Sequence, residues 1–150
     1  MPQETANALR EREDGRLWMY TGDIGRMDED GYFYLVDRKK DLALIGGFNV
    51  YPNQVEKALQ THPAIAEVAV ASIPHPRKIG EEALKAWIVL EKDQTVTKGD
   101  LIAYCKDYLA SYEIPRRYEF IDELPKSAVG KTLRRELVQM EDNGTDEETE

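Results

Sequence analysis

Three short segments hold the residue types from which a binding site or a catalytic centre could be built. Tyr20-Thr-Gly-Asp23 sets a carboxylate after a glycine at a strand break, where it can accept two hydrogen bonds from a vicinal diol such as ribose. The same four residues also read as a turn capped by aspartate. Asp37-Arg-Lys-Lys-Asp41 precedes Gly46-Gly47-Phe-Asn-Val-Tyr-Pro52. Taken alone this is a charged loop and a glycine turn, although glycine backbone can also approach a ligand closely. Leu124-Pro-Lys-Ser-Ala-Val-Gly-Lys131 places a lysine directly after a glycine at an expected helix start. An ammonium there can meet a phosphate or carboxylate, or can simply be a solvated surface charge. Other chemistries lack their residues: there is no nucleophile elbow, no Walker loop and no paired metal-ligand spacing, so no metal site is expected. His62 and His75 lie apart beside prolines, and Cys105 on an apolar helix face reads as a small core residue.

The elements that must position these segments are bounded by composition. The chain has 150 residues, 29 acidic and 20 basic, with a net charge of −9 and 41% hydrophobic residues. That is enough for one domain with a core, plus a short appendage. Collagen-like, coiled-coil-only and wholly disordered chains are excluded. No run approaches the ~20 apolar residues of a membrane span. The first residues lack a signal-peptide core, and a single cysteine fits a reducing compartment. The acidic balance argues against non-specific nucleic-acid binding. Six acids and no base fall in residues 141–150, read as a disordered acidic tail.

Residues Glu4 to Glu13 favour a helix. A hairpin is expected with Leu17–Tyr20 and Ile24–Met27 leading into Asp28-Glu-Asp-Gly31 and Tyr32–Val36 leading away. The five charges Asp37–Asp41 are expected outside any core. Asp41–Ile45 is a short apolar run ending at the two glycines, and Pro52 opens a helix carrying Val55 and Leu59. Glu67–Ile73, Leu84–Leu90 and Arg117–Ile121 read as strands, the second apolar on both faces and therefore central. Thr97 with Asp100 resembles a capping box opening a helix with Leu101, Ile102, Cys105 and Leu109. A last helix after Gly130 would carry Leu133, Leu137 and Met140. The expected fold class is α+β: a three-stranded sheet packed by about three helices as a two-layer sandwich, preceded by a β-hairpin.

In order, Thr21-Gly-Asp23, Asp37-Arg38-x-Lys40-Asp41, Gly46-Gly47-Phe-x-Val-x-Pro52 with Glu56, and Pro125-Lys-x-x-x-Gly-Lys131 resemble the C-terminal part of the AMP-forming acyl-CoA synthetases. These belong to the adenylate-forming superfamily with luciferases and peptide-synthetase adenylation domains. The resemblance runs over roughly residues 3–139, and Val36–Asp41 with Gly47–Pro52 looks most like the medium- and long-chain fatty-acid branch. It implies that residues 1–37 are the end of a large N-terminal domain, 38–41 a hinge, 42–140 the small C-terminal domain and 141–150 the tail. It implies a reaction in which ATP and a carboxylate give an acyl-adenylate and pyrophosphate, and coenzyme A then displaces AMP. The small domain would swing between two orientations, one for each step.

By the same resemblance, Asp23 and Arg38 would bind the ribose of ATP and AMP, and Lys40 would be the pivot. Gly46 and Gly47 would line the pantetheine tunnel, where a side chain would obstruct the thiol. Lys131 would be the catalytic lysine of adenylation. The phosphate-binding loop, adenine pocket and acyl tunnel would lie on the missing N-terminal domain, with the Mg2+ of ATP also bound outside this chain. Val129 stands where a small hydroxyl residue is common. The expectation is thus a C-terminal piece of a cytoplasmic fatty-acid–CoA ligase, inactive alone, with membrane contact at most peripheral. Its partners are the missing domain, ATP, fatty acid and coenzyme A. The alternative is a stand-alone module that binds coenzyme A or a protein without chemistry. A third possibility keeps the superfamily with an aryl or amino acid as substrate.

Overall fold

The computed structural model describes residues 2–143. The chain divides into two compact units, Met1–Lys40 and Asp41–Glu150.

The first unit opens with α1 (Pro2–Ala8), which gives way to β1 (Leu9–Glu11) paired antiparallel with β2 (Leu17–Met19). The helix expected to Glu13 therefore stops early, because pairing with Leu17–Met19 outweighs a weak helix preference. A second hairpin joins β3 (Asp23–Met27) to β4 (Phe33–Arg38). Its turn is built on Asp28, whose Oδ1 accepts the backbone N–H of Asp30 at 3.0 Å and of Tyr32 at 2.9 Å. Leu17–Met19 thus belongs to a different hairpin from Ile24–Met27. No hydrophobic residue of this unit is buried among the described residues; Leu17, Met19, Phe33 and Leu35 are 65, 69, 81 and 76% exposed. Asp37, expected in solvent, is instead buried at the end of β4 opposite Ile24. Its Oδ1 accepts the backbone N–H of Arg38 at 2.8 Å, the kind of bond a buried carboxylate requires.

A 3-10 turn (Lys39–Asp41) leads to the second unit. There β5 (Ala43–Ile45) and β6 (Phe48–Val50) form a tight hairpin, and α2 (Pro52–Gln60) begins with its proline in the first turn. β7 (Ile65–Pro74) pairs antiparallel with β8 (Glu82–Leu90), which also pairs parallel with β9 (Arg117–Phe120), giving the order β7-β8-β9. α3 (Lys98–Cys105) lies between β8 and β9 in the chain, and α4 (Arg134–Asn143) closes it.

Alternation along β8 explains why it is central. Leu84, Ala86 and Ile88 join Val55 and Leu59 of α2 and Leu101 and Cys105 of α3 in one core. Ala83 and Trp87 face the other way, into a second core with Leu124 and Leu137 of α4. Both faces of the sheet are therefore covered. The arrangement has three layers rather than two, as a strand apolar on both faces requires. Of the apolar positions expected on the last helix, Leu137 is buried, Met140 is 62% exposed and Leu133 precedes the helix. α4 also takes in residues 141–143 of the expected tail. The remainder of that tail, 144–150, lies outside the described residues. Cys105 is buried and burial pushes its thiol up, which suits a core side chain rather than a nucleophile.

The capping box forms as expected. Thr97 Oγ1 accepts the backbone N–H of Asp100, and Asp100 Oδ2 accepts from the backbone N–H of Thr97 at 3.0 Å. The Thr97 hydroxyl also donates to Asp100 Oδ2 at 2.6 Å. Replacement Thr97→Ala should cost about 1 kcal/mol at pH 7, read from urea unfolding. The Thr97 hydroxyl, then its amide, holds the Asp100 carboxyl below its ordinary value. A lowered folded value stabilises above the ordinary range of about 3.9 and ceases to as pH falls through the lowered value. The gap between Thr97→Ala and the parent chain should therefore narrow in acid. A constant gap would show that the hydroxyl–carboxylate bond contributes nothing.

Candidate functional site

Asp23 opens β3 and Arg38 ends β4, and the two residues face each other in the ladder. Arg38 Nε lies 3.6 Å from Asp23 Oδ1, with both side chains partly exposed at 49 and 32%. The loop before them is held by Thr21 Oγ1, which accepts the Asp23 N–H at 3.3 Å, and by Gly22 O, which accepts the Lys39 N–H at 2.8 Å. An acceptor and a donor thus stand together at one end of the hairpin, a suitable arrangement for hydroxyl groups. Lys40 is exposed on the 3-10 turn, the last residue of the first unit.

Gly46 and Gly47 are the two central residues of the β5–β6 turn, with φ of 56° and 87°. Positive φ at both marks the turn whose twist suits a two-residue hairpin. A Cβ on either would meet nothing within 4 Å. Backbone conformation, not lack of space, calls for glycine here, and an L side chain would cost about 1–2 kcal/mol at each. Leu44 N–H donates to Glu82 Oε2 at 2.7 Å, tying the hairpin to β8. Phe48 stacks on Tyr112 with ring centroids 4.3 Å apart. An open cleft of about 280 Å³ lies beside this pair, bordered by Gly46, His75, Glu82 and Arg116.

Lys131 is not at a helix start. It closes a turn three residues before α4, where Ser127 N–H donates to Lys131 O and Gly130 N–H to Ser127 O, both at 2.8 Å. Ser127 Oγ accepts the Lys131 N–H at 3.2 Å, and Gly130 has φ of 80°. Lys126 pairs with Thr132 across the base of the turn and forms an ion pair with Glu67 at 2.6 Å. Lys131 itself is exposed, and among the described residues no group pairs with its ammonium. Val129, 88% exposed, takes no part in that bonding, which Ser127 supplies.

Two ionic clusters were not legible as sites. Arg134 forks onto Glu56, with Nε to Oε1 at 2.9 Å and Nη2 to Oε2 at 2.7 Å. Near the far end of α4, buried Lys85 of β8 pairs with Glu141 and with Glu119. A single charge inside the otherwise apolar Leu84–Leu90 run was the one local signal of the second cluster. Among the described residues no three His, Cys, Asp or Glu side chains gather to hold a metal.

The fold aligns with the crystal structure of ATP-bound MatB from Rhodopseudomonas palustris with a TM-score of 0.81 and 33% identity, over 93% of this chain and 27% of that one. The architecture is thus that of the small C-terminal domain of adenylate-forming enzymes. Residues 54–131 match the family model of the AMP-binding enzyme C-terminal domain. The chain belongs to that family. Long-chain-fatty-acid–CoA ligases of Bacillus subtilis strain 168 and Yersinia pestis are 49 and 46% identical to it over 140 and 136 residues, 93 and 91% of this chain. It spans 24 and 23% of their lengths.

Proposed function

We propose that this chain is the C-terminal part of a long-chain-fatty-acid–CoA ligase and acts with a large N-terminal adenylate-forming domain. On this reading a carboxylate oxygen of the fatty acid attacks the α-phosphorus of ATP and pyrophosphate leaves. The sulfur of coenzyme A then attacks the acyl carbon and AMP leaves. Lys131 serves the first step: its ammonium offsets charge on the carboxylate and α-phosphate as the bond forms. Asp23 and Arg38 hold the ribose hydroxyls, Lys40 is the pivot, and the Gly46-Gly47 hairpin borders the thiol path in the second step. Mg2+ travels with ATP and would be held outside this chain. A cytoplasmic location with peripheral membrane contact fits such a substrate.

The observation that carries this reading is the Lys131 ammonium, presented on a hydrogen-bonded turn with no partner among the described residues. A cation so placed is available to a ligand on another surface. The exposed apolar hairpins of residues 9–35 support a covering domain in the same way. An antibody raised against the chain tests the proposal in the native source. A band roughly four times the 17.2 kDa of this chain is expected from its 24% coverage. That protein should catalyse fatty-acid-dependent exchange of pyrophosphate into ATP. A band at 17.2 kDa alone would favour the stand-alone binding module.

A further inference from the structure

We infer that Arg134 is a positioning residue that sets the Lys131 turn for adenylation, an inference that rests on the role of Lys131 proposed above. Arg134 is the first residue of α4 and follows Lys131 by three positions. Its guanidinium meets the Glu56 carboxylate through two parallel bonds, the geometry in which arginine is strongest and most directional. Nη2 also donates to Asn53 Oδ1 at 2.5 Å, and Nη1 lies 3.8 Å from Asp41 Oδ2. Glu56 Oε1 is fixed in turn by the Val70 N–H at 2.8 Å. One guanidinium therefore joins α4 to the first turns of α2, to β7 and to the residue that opens the second unit.

The Lys131 turn depends on that junction more than the glycine hairpin does. The turn is anchored on one side by Lys126–Glu67, an ion pair with both side chains more than 40% exposed. On its other side the chain runs straight into Arg134, whose side chain is 24% exposed against 18% for Glu56. The β5–β6 hairpin has independent supports in buried Ala43 and Val50, in the bond from Leu44 to Glu82, and in the Phe48–Tyr112 stack. Loss of the fork should loosen the turn first. Adenylation should then suffer more than thioester formation, because misplacement of a catalytic group by even an ångström slows the step it serves.

The test uses Arg134→Gln and Arg134→Lys in the full-length protein. Arg134→Lys keeps the charge and loses the fork. Amide hydrogen exchange over residues 127–133 should quicken about tenfold or more in both variants, while β7 and β8 stay protected. The kcat for pyrophosphate exchange should fall about tenfold with the KM for ATP held within about twofold. Thioester formation from preformed acyl-adenylate should change less. Unchanged exchange over 127–133 overturns the inference, as does acceleration spread equally over the sheet in both variants, which would mark a merely structural bond. Equal loss in the two half-reactions also overturns it. If the parent protein shows no pyrophosphate exchange, the role of Lys131 falls. The amide measurement still decides whether Arg134 orders the turn.

Discussion

Lys131→Ala in the full-length ligase proposed above should slow acyl-adenylate formation by about 10²–10³-fold, the usual cost of removing one preorganised group that stabilises developing charge. The reason lies in the turn. Its backbone is closed by Ser127 and Gly130, so the lysine is held by the turn rather than by a charge partner, and truncating it removes little of the fold. The loss should appear in kcat for fatty-acid-dependent pyrophosphate exchange. Thioester formation from supplied acyl-adenylate should keep most of its rate, since the role proposed for the ammonium lies in the other step. Lys131→Arg should recover only part, because a planar fork does not replace a compact point charge. Equal slowing of both half-reactions, or none in the first, would remove Lys131 from the role proposed for it.

Lys85→Met should destabilise the chain by about 2 kcal/mol, read as a lower urea midpoint at unchanged slope. Lys85 has an 8% exposed side chain and its ammonium meets Glu141 on α4 and, at 2.5 Å, Glu119 on β9. It also lies 5.0 Å from the centre of the Trp87 ring. Removing the cation leaves Glu141, itself only 14% exposed, short of one partner. The cost stays below the ~3–5 kcal/mol of a fully buried broken pair. Arg117 still reaches Glu141 at 2.6 Å, and Glu119 is 48% exposed and can turn to water. The double variant Lys85→Met with Glu141→Leu should recover most of the loss, since it leaves no buried carboxylate in deficit. An unaltered midpoint for Lys85→Met alone would mean that water already serves Glu141.

What could be read beforehand was local. Asp30-Gly31 and Gly46-Gly47 announce their turns, Pro52 its helix, and Thr97 with Asp100 their cap, because each signal and its consequence lie within a few residues. The strand pattern at Leu84–Leu90 told correctly that it is central, and the four ordered motifs pointed to the family. What escaped was set by long-range contact. Arg134 and Glu56 are 78 residues apart, Lys85 and Glu141 are 56, and nothing beside either pair names its partner. The same holds for Leu9–Glu11, helical by preference but a strand by pairing, and for Asp37, buried although it sits in a run of charges. The motif singles out Lys131 as a candidate, yet its seat on a closed turn depends on Lys126 meeting Thr132 and Glu67. The helix-like spacing of Leu133, Leu137 and Met140 concealed that.

The uneven distribution of buried side chains governs how the protein behaves at the bench. Every buried hydrophobic residue described lies between Ala43 and Leu137, so a chain begun at Asp41 keeps all of them. The residues up to Lys40 add Leu17, Trp18, Phe33 and Leu35 to the water-facing surface and no core. Surfaces of that kind set the concentration at which molecules begin to stick to one another. Clouding of a purified sample would therefore be a symptom of the uncovered hairpins, removable by trimming them, rather than a sign that the sheet and its helices had failed to form.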